Sequence, residues 1–117
     1  MYKVFAICVV FLCVAISGNI HAYTNCTTLT KFVVVEAERK SDPQYSNLLL
    51  IKFKDSSGAN FNCGGAEYAY IENTHSAHDS VLSMALWAAS FDKTVTIKID
   101  ESDRIGAAAR LEFIYPN

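Results

Sequence analysis

Few residues in this chain have the types and spacing that chemistry needs. "HSAHD", His75 to Asp79, sets two imidazoles three apart beside a carboxylate. On a helix, positions i and i+3 share a face, so His75 and His78 can ligate one ion if the helix starts early enough to hold both. No third ligand stands nearby in sequence, and a polar helix start accounts for the same residues. Asp79-Ser80 with His78 does not make a Ser–His–Asp relay, because adjacent side chains diverge. Asp100, Glu101 and Asp103 form an acidic stretch without the regular oxygen spacing of a calcium loop, and a solvated loop is expected there. Gly64-Gly65 interrupts a strand pattern without any phosphate-loop motif around it, which favours a bulge or bend. No paired-carboxylate or Cys–His pattern remains. The expectation is a non-enzymatic protein with no catalytic residues, no metal and no cofactor.

Aromatic side chains are the other resource. Tyr68 and Tyr70 alternate on one face of a predicted strand. They are candidate ligand-binding residues, since tyrosines on an outer sheet face stack on sugar rings, nucleobases or a partner. The competing reading is cross-strand packing within the sheet. A second candidate surface lies on "VLSMALWAAS", Val81 to Ser90. At about 100° per residue, Val81, Leu82, Ala85, Leu86, Ala88 and Ala89 form an apolar arc. Ser80, Ser83, Trp87 and Ser90 fall opposite, with Met84 at the border. Ser80, Ser83, Met84 and Trp87 are therefore candidates for an oligomer interface, where tryptophan is enriched.

The chain that must position these residues opens with Lys3 and an apolar run from Val4 to Ile16, then small and polar residues ending in "IHA". That is the layout of a secretory signal peptide, with cleavage expected after Ala22; the run is short of the roughly 20 residues that span a bilayer. Residues 1–22 are read as the signal and 23–117 as one domain, secreted or periplasmic, with no membrane span after cleavage. Cys8 and Cys13 leave with the signal. Cys26 and Cys63 remain, and an even count in an exported chain predicts a disulfide. Its loop of about 37 residues corresponds to roughly 4 kcal/mol in the chain-entropy estimate. Asn25 begins a glycosylation sequon, relevant only in a eukaryotic secretory pathway. Nine Lys and Arg against twelve Asp and Glu leave the mature chain mildly acidic without a basic stripe, which speaks against nucleic acid as a partner.

The pattern predicts strands at Leu29 to Ala37, "NLLLIKFK" with Leu49, Ile51 and Phe53 inward, and "FNCGGAEYAYI". A helix follows from about Ser76 to Phe91, with Thr74, Ser76 and Asp79 as capping candidates. "TVTIKID" alternates Val95, Ile97 and Ile99 inward. "ESDRIG" reads as a polar loop. "AAARLEFIY" sets Leu111, Phe113 and Tyr115 against Arg110, Glu112 and Ile114. The order β-β-β-α-β-β, mainly β with one helix after the third strand, fits a five-stranded OB-type barrel, whose closure removes exposed edges.

The segment "SVLSMALWAASFDKTVTIKID" resembles the helix–strand segment of the small OB-fold B subunits of bacterial AB5 toxins of the subtilase-cytotoxin and typhoid-toxin type. It is also similar to small exported bacterial proteins. Leu82, Ala85, Leu86, Ala88 and Ala89 match the helix, Lys93 the turn, and Val95 and Ile97 the strand. The likeness covers roughly 20 residues. A cysteine that many relatives carry after strand four is absent here. The resemblance implies a pentameric ring lined by its helices, with an outer surface that binds glycans; no sugar-contacting residue carries over. The expectation is a toxin-B-subunit-like binding module, a homo-oligomer with a glycan or protein partner. The alternative is a monomeric exported accessory or inhibitor protein with a structural disulfide.

Overall fold

The computed structural model describes residues 21–30, 33–35 and 42–117, and of 33–35 only the backbone. The expected signal up to residue 20 and the end of the first predicted strand, 36–37, lie outside them. Among the described residues, six strands and one α-helix follow in the order β1 (Tyr23–Leu29), β2 (Val33–Val35), β3 (Leu48–Lys52), β4 (Tyr68–Glu72), α1 (His78–Ser90), β5 (Thr94–Ile105) and β6 (Ala108–Pro116). A 3-10 turn at Pro43–Tyr45 precedes β3. The class is as expected, mainly β with one helix. The first predicted strand, Leu29 to Ala37, is met at Val33–Val35, but an unforeseen strand precedes it, starting at Tyr23 with Leu29 as its last residue. Between Tyr23 and Leu29, "TNCTT" lacks large apolar residues, but Thr28 is buried and Cys26 packs against the core, so the small alternate residues face inward.

All strands belong to one sheet of order β1-β5-β6-β4-β3-β2. Every neighbouring pair is antiparallel except β4 and β6, whose parallel pairing requires the crossover that α1 and β5 supply. β1 and β2 stand at opposite ends of this order, although only residues 30–32 separate them. Where β1 ends, the Leu29 amide donates to the Lys54 carbonyl at 2.9 Å. The Thr28 hydroxyl accepts from the Lys54 amide at 2.8 Å. Lys54 lies just past β3.

One side of the sheet carries the core. Leu49, Ile51 and Phe53 meet Val95, Ile97 and Ile99 there, all fully buried and all on the predicted faces. Val81, Ala85 and Ala88 of α1 pack onto them. The alanines let the helix approach closely, and the buried Thr30 hydroxyl donates to the Ala85 carbonyl at 2.7 Å. Because a strand alternates faces, Leu48 and Leu50 point the other way. There they form a second cluster with Tyr45, Tyr70 and Ala108.

A tight turn leads into β4. Cys63 and Ala66 exchange both backbone hydrogen bonds at 2.9 Å, with Gly64 and Gly65 at φ 54° and 80°. Positive φ at both central positions is the type I′ requirement, so the glycine pair is the predicted bend. β4 itself starts only at Tyr68. Cys26 and Cys63 are disulfide-bonded, with Cα atoms 6.0 Å apart, which ties β1 to this turn.

"ESDRIG" is not a loop. β5 runs through it to Ile105 with a register shift between Asp100 and Arg104. A second shift places Ile99 opposite Leu111 but Lys98 opposite Phe113, so Glu112 is an extra residue in a bulge. The bulge inverts the inward face of β6. Leu111 is inward, then Ile114 packs on the core while Phe113 and Tyr115 are exposed, the reverse of the expected alternation. At the helix start, none of the expected caps is used. α1 follows Ala77, whose amide donates to Nδ1 of His75 at 3.0 Å. Asp79 does lie in the first turn, where its charge complements the macrodipole.

Candidate functional site

The histidines do not share a helix face, because α1 begins at His78 and leaves His75 in the preceding turn. The Nδ1 of His78 lies 2.9 Å from Asp79. Among the described residues, no three His, Cys, Asp or Glu side chains converge in a way that could hold a metal ion. A Ser–His–Asp grouping does exist elsewhere, one that sequence spacing could not suggest. Asp100, 3% exposed, lies 2.8 Å from Nδ1 of His21 and accepts from the Ser102 hydroxyl. Ser102 approaches the same Nδ1 at 3.3 Å, whereas a relay places serine and carboxylate on opposite ring nitrogens. The grouping anchors a buried carboxylate. Ser102 first holds the Asp100 carboxyl below the usual range, and His21, inside the expected signal, adds to this only while residues 1–22 remain attached.

The other two acids of this stretch also have partners, so the expected solvated loop is corrected twice over. Glu101 accepts from Thr24. Asp103 accepts from Nε of Arg110 at 2.6 Å and from the Tyr70 hydroxyl at 2.7 Å. Arg110 grips Glu72 with both terminal nitrogens, at 2.9 Å for Nη1. The guanidinium also lies 5.0 Å above the Tyr70 ring. The bidentate fork matches a carboxylate, and this quartet links β4, β5 and β6. Arg110 holds the Glu72 carboxyl below its ordinary value, and Arg110 with Tyr70 does the same to Asp103. Burial, with donation to Asp103, pushes the Tyr70 hydroxyl up.

Tyr70 is therefore not a stacking platform: only 1% of it is exposed. It sits opposite Leu50, and Tyr68 opposite Lys52, whose ammonium lies 4.6 Å from the Tyr68 ring. Tyr70 is thus taken up by packing within the sheet, while Tyr68 packs across the strand pair and stays half-buried. The exposed rings are Tyr23, Phe113 and Tyr115 on β1 and β6. Lys98 lies between the first two, 4.8 Å from Tyr23 and 5.3 Å from Phe113.

On α1, the buried stripe is narrower than the expected arc. Leu86 lies about 100° from Ala85, off the stripe, and is 49% exposed beside Trp87, 40% exposed. Ser80 and Ser83 share this water-facing side, and Asp79 is its single charge. The four candidate interface residues Ser80, Ser83, Met84 and Trp87 line one open depression with Asp79. Adjoining it is a deeper cleft of about 380 Å³ between the start of α1 and β6. Ile71, Val81, Met84, Leu111 and Ile114 line it, with His75, Ser80, Arg110 and Glu112 as polar neighbours. The bulge at Glu112 shapes this wall, which is why strict alternation did not foresee the cleft. No helix among the described residues is long and apolar enough to cross a membrane.

The chain matches no protein-family model, no curated protein and no solved structure.

Proposed function

We propose that this chain is an exported, non-enzymatic binding module on an OB-type barrel, toxin-B-subunit-like, that works as a homo-oligomer assembled through α1. The barrel reading rests on connectivity. β1 and β2 border opposite ends of the sheet order but are three residues apart in the chain, and β1 reaches the end of β3 through Leu29 and Lys54. Counting β1 and β2 as one long bent strand gives five strands, with the helix between the third and fourth.

The observation that carries the assembly is the water-facing side of α1. Leu86 and Trp87 are exposed among small serines, with Asp79 the only charge. A tryptophan on a small-residue face is a hot-spot arrangement that a second copy covers. The ligand class is a glycan, bound on the outward rings Tyr23, Phe113 and Tyr115, which remain open where Tyr70 is covered.

Light scattering on the mature chain tests the assembly. Wild type is expected as an oligomer, and Trp87→Ser as a monomer that still folds and melts cooperatively, at a Tm lowered only by the lost association. A wild type that stays monomeric at micromolar concentration refutes the module as an oligomer; global unfolding of Trp87→Ser refutes the interface role of the tryptophan. The same oligomer on a glycan array tests the ligand class, and a blank array removes the glycan while leaving the assembly standing.

A further inference from the structure

The C-terminal end of α1 is a corner closed by backbone hydrogen bonds, with the Phe91 ring 6.5 Å from that of Trp87. Asp92 has φ 51°, the left-handed conformation, and the Lys93 amide reaches back to the Ala88 carbonyl at 2.9 Å. This is the Schellman pattern, with aspartate where glycine is usual. It fixes Phe91 and Lys93 outward without help from a flexible loop. Phe91 is 64% exposed, the most exposed large apolar side chain among the described residues.

Charges single out the same corner. Among the described residues, Lys52 and Arg110 pair with carboxylates, Lys54 with Asn60, Arg104 with backbone carbonyls and Lys98 with aromatic rings. Lys93 is the cation whose side chain has none of these, and Asp92 beside it has a partner of its own. Glu112, exposed and on the wall of the cleft, likewise has no side-chain partner among the described residues. The protein thus holds an apolar knob with an unpaired cation and an apolar cleft with an unpaired anion.

We propose that Phe91 of one copy inserts into the cleft between α1 and β6 of a neighbouring copy, with Lys93 paired to that neighbour's Glu112. The proposal rests on the homo-oligomer reading above and specifies its contact. A cavity of about 150 Å³ already holds a benzene ring, so a cleft of about 380 Å³ admits Phe91 together with the lysine stem. The corner cannot fill its own cleft. Val81, in the cleft wall, and Phe91 are about 15 Å apart along the helix axis. Knob and cleft therefore meet only between copies, head to tail, and such a contact closes into a ring if the rotation per subunit allows it.

Sedimentation velocity on the mature chain tests this with Phe91→Ser, Lys93→Glu, Glu112→Lys and the double variant Lys93→Glu/Glu112→Lys. Thermal melts check that each folds; all three positions are exposed. Phe91→Ser is expected to weaken assembly by about tenfold or more. Each single charge reversal should weaken it, and the double variant should return to near the wild-type constant because the pair is restored in reverse. Phe91→Ser retains an intact cleft and Glu112→Lys an intact corner, so mixing them should yield a one-to-one dimer that neither forms alone. Wild-type assembly in Phe91→Ser, or a double variant no better than its singles, overturns this contact while the oligomer survives. A wild type that is monomeric throughout overturns the oligomer itself and this contact with it.

Discussion

Replacing Arg110 with methionine tests the reasoning behind the outer quartet. Methionine keeps most of the stem's packing and removes the guanidinium. Three hydrogen bonds to carboxylates go with it, two to Glu72 and one to Asp103. In a dry interior each would be worth about 1.5–3 kcal/mol. All three side chains are partly exposed, so the two ion pairs are better set at about 0.5–1 kcal/mol each. Loss of the contact with the Tyr70 ring adds about 0.5–1 kcal/mol. The expected cost is about 2 kcal/mol, or about 10 °C in Tm for a domain of this size. It should depend on pH in one direction. Glu72 and Asp103 both titrate below their ordinary values in the fold, so their stabilisation is complete above those values. It is lost as pH falls through the folded-state values, where the carboxylates protonate. Urea unfolding of both proteins at pH 7 and at about pH 2, where the ordinary values are already passed, is the assay. A cost that is unchanged at the acidic end would refute the electrostatic account. So would a cost at pH 7 below about 0.5 kcal/mol.

Reduction of Cys26–Cys63 is expected to destabilise the fold by up to about 4 kcal/mol, read as the shift in urea midpoint with and without a thiol reductant, and an unchanged midpoint would show that β1 is held by its ladder alone. Gly106→Ala should cost about 2–3 kcal/mol in thermal unfolding. Its φ of 55° strains any side chain, and a Cβ there collides with the Tyr45 hydroxyl that accepts the Ala107 amide. A Tm within about 2 °C of wild type would contradict both causes.

How much of this was readable beforehand depended on distance along the chain. Val95, Ile97 and Ile99 alternate cleanly, and so do Leu49, Ile51 and Phe53, so their faces followed from local period alone. The helix was placed to within two residues because its composition changes abruptly at both ends. Other features depend on partners remote in sequence. Asp103 faces Arg110 only because β5 turns back as β6, and Glu72 joins them only through the parallel pairing of β4 with β6. Tyr70 looked available because Leu50, Tyr45 and Ala108, which cover it, come from three other segments. The bulge at Glu112 has no glycine to mark it. One extra residue sent Phe113 and Tyr115 to the outside, and with them the aromatic surface assigned to the ligand. The disulfide, by contrast, followed from counting, since the expected loss of Cys8 and Cys13 with the signal leaves one pairing.

The position of that disulfide has a consequence for the order in which the chain folds. Cys26 lies in β1, and β1's hydrogen-bonding neighbour is β5, which begins at Thr94. A chain emerging N-terminus first presents Cys63 well before Thr94. The bond can close before the cognate strand has emerged. β1 is then a template held in place by a covalent latch, and β5 has only to add to it. With the chain exported as proposed, oxidation would act on a half-made protein, and a delay would leave an unpaired strand with two free thiols waiting for a partner.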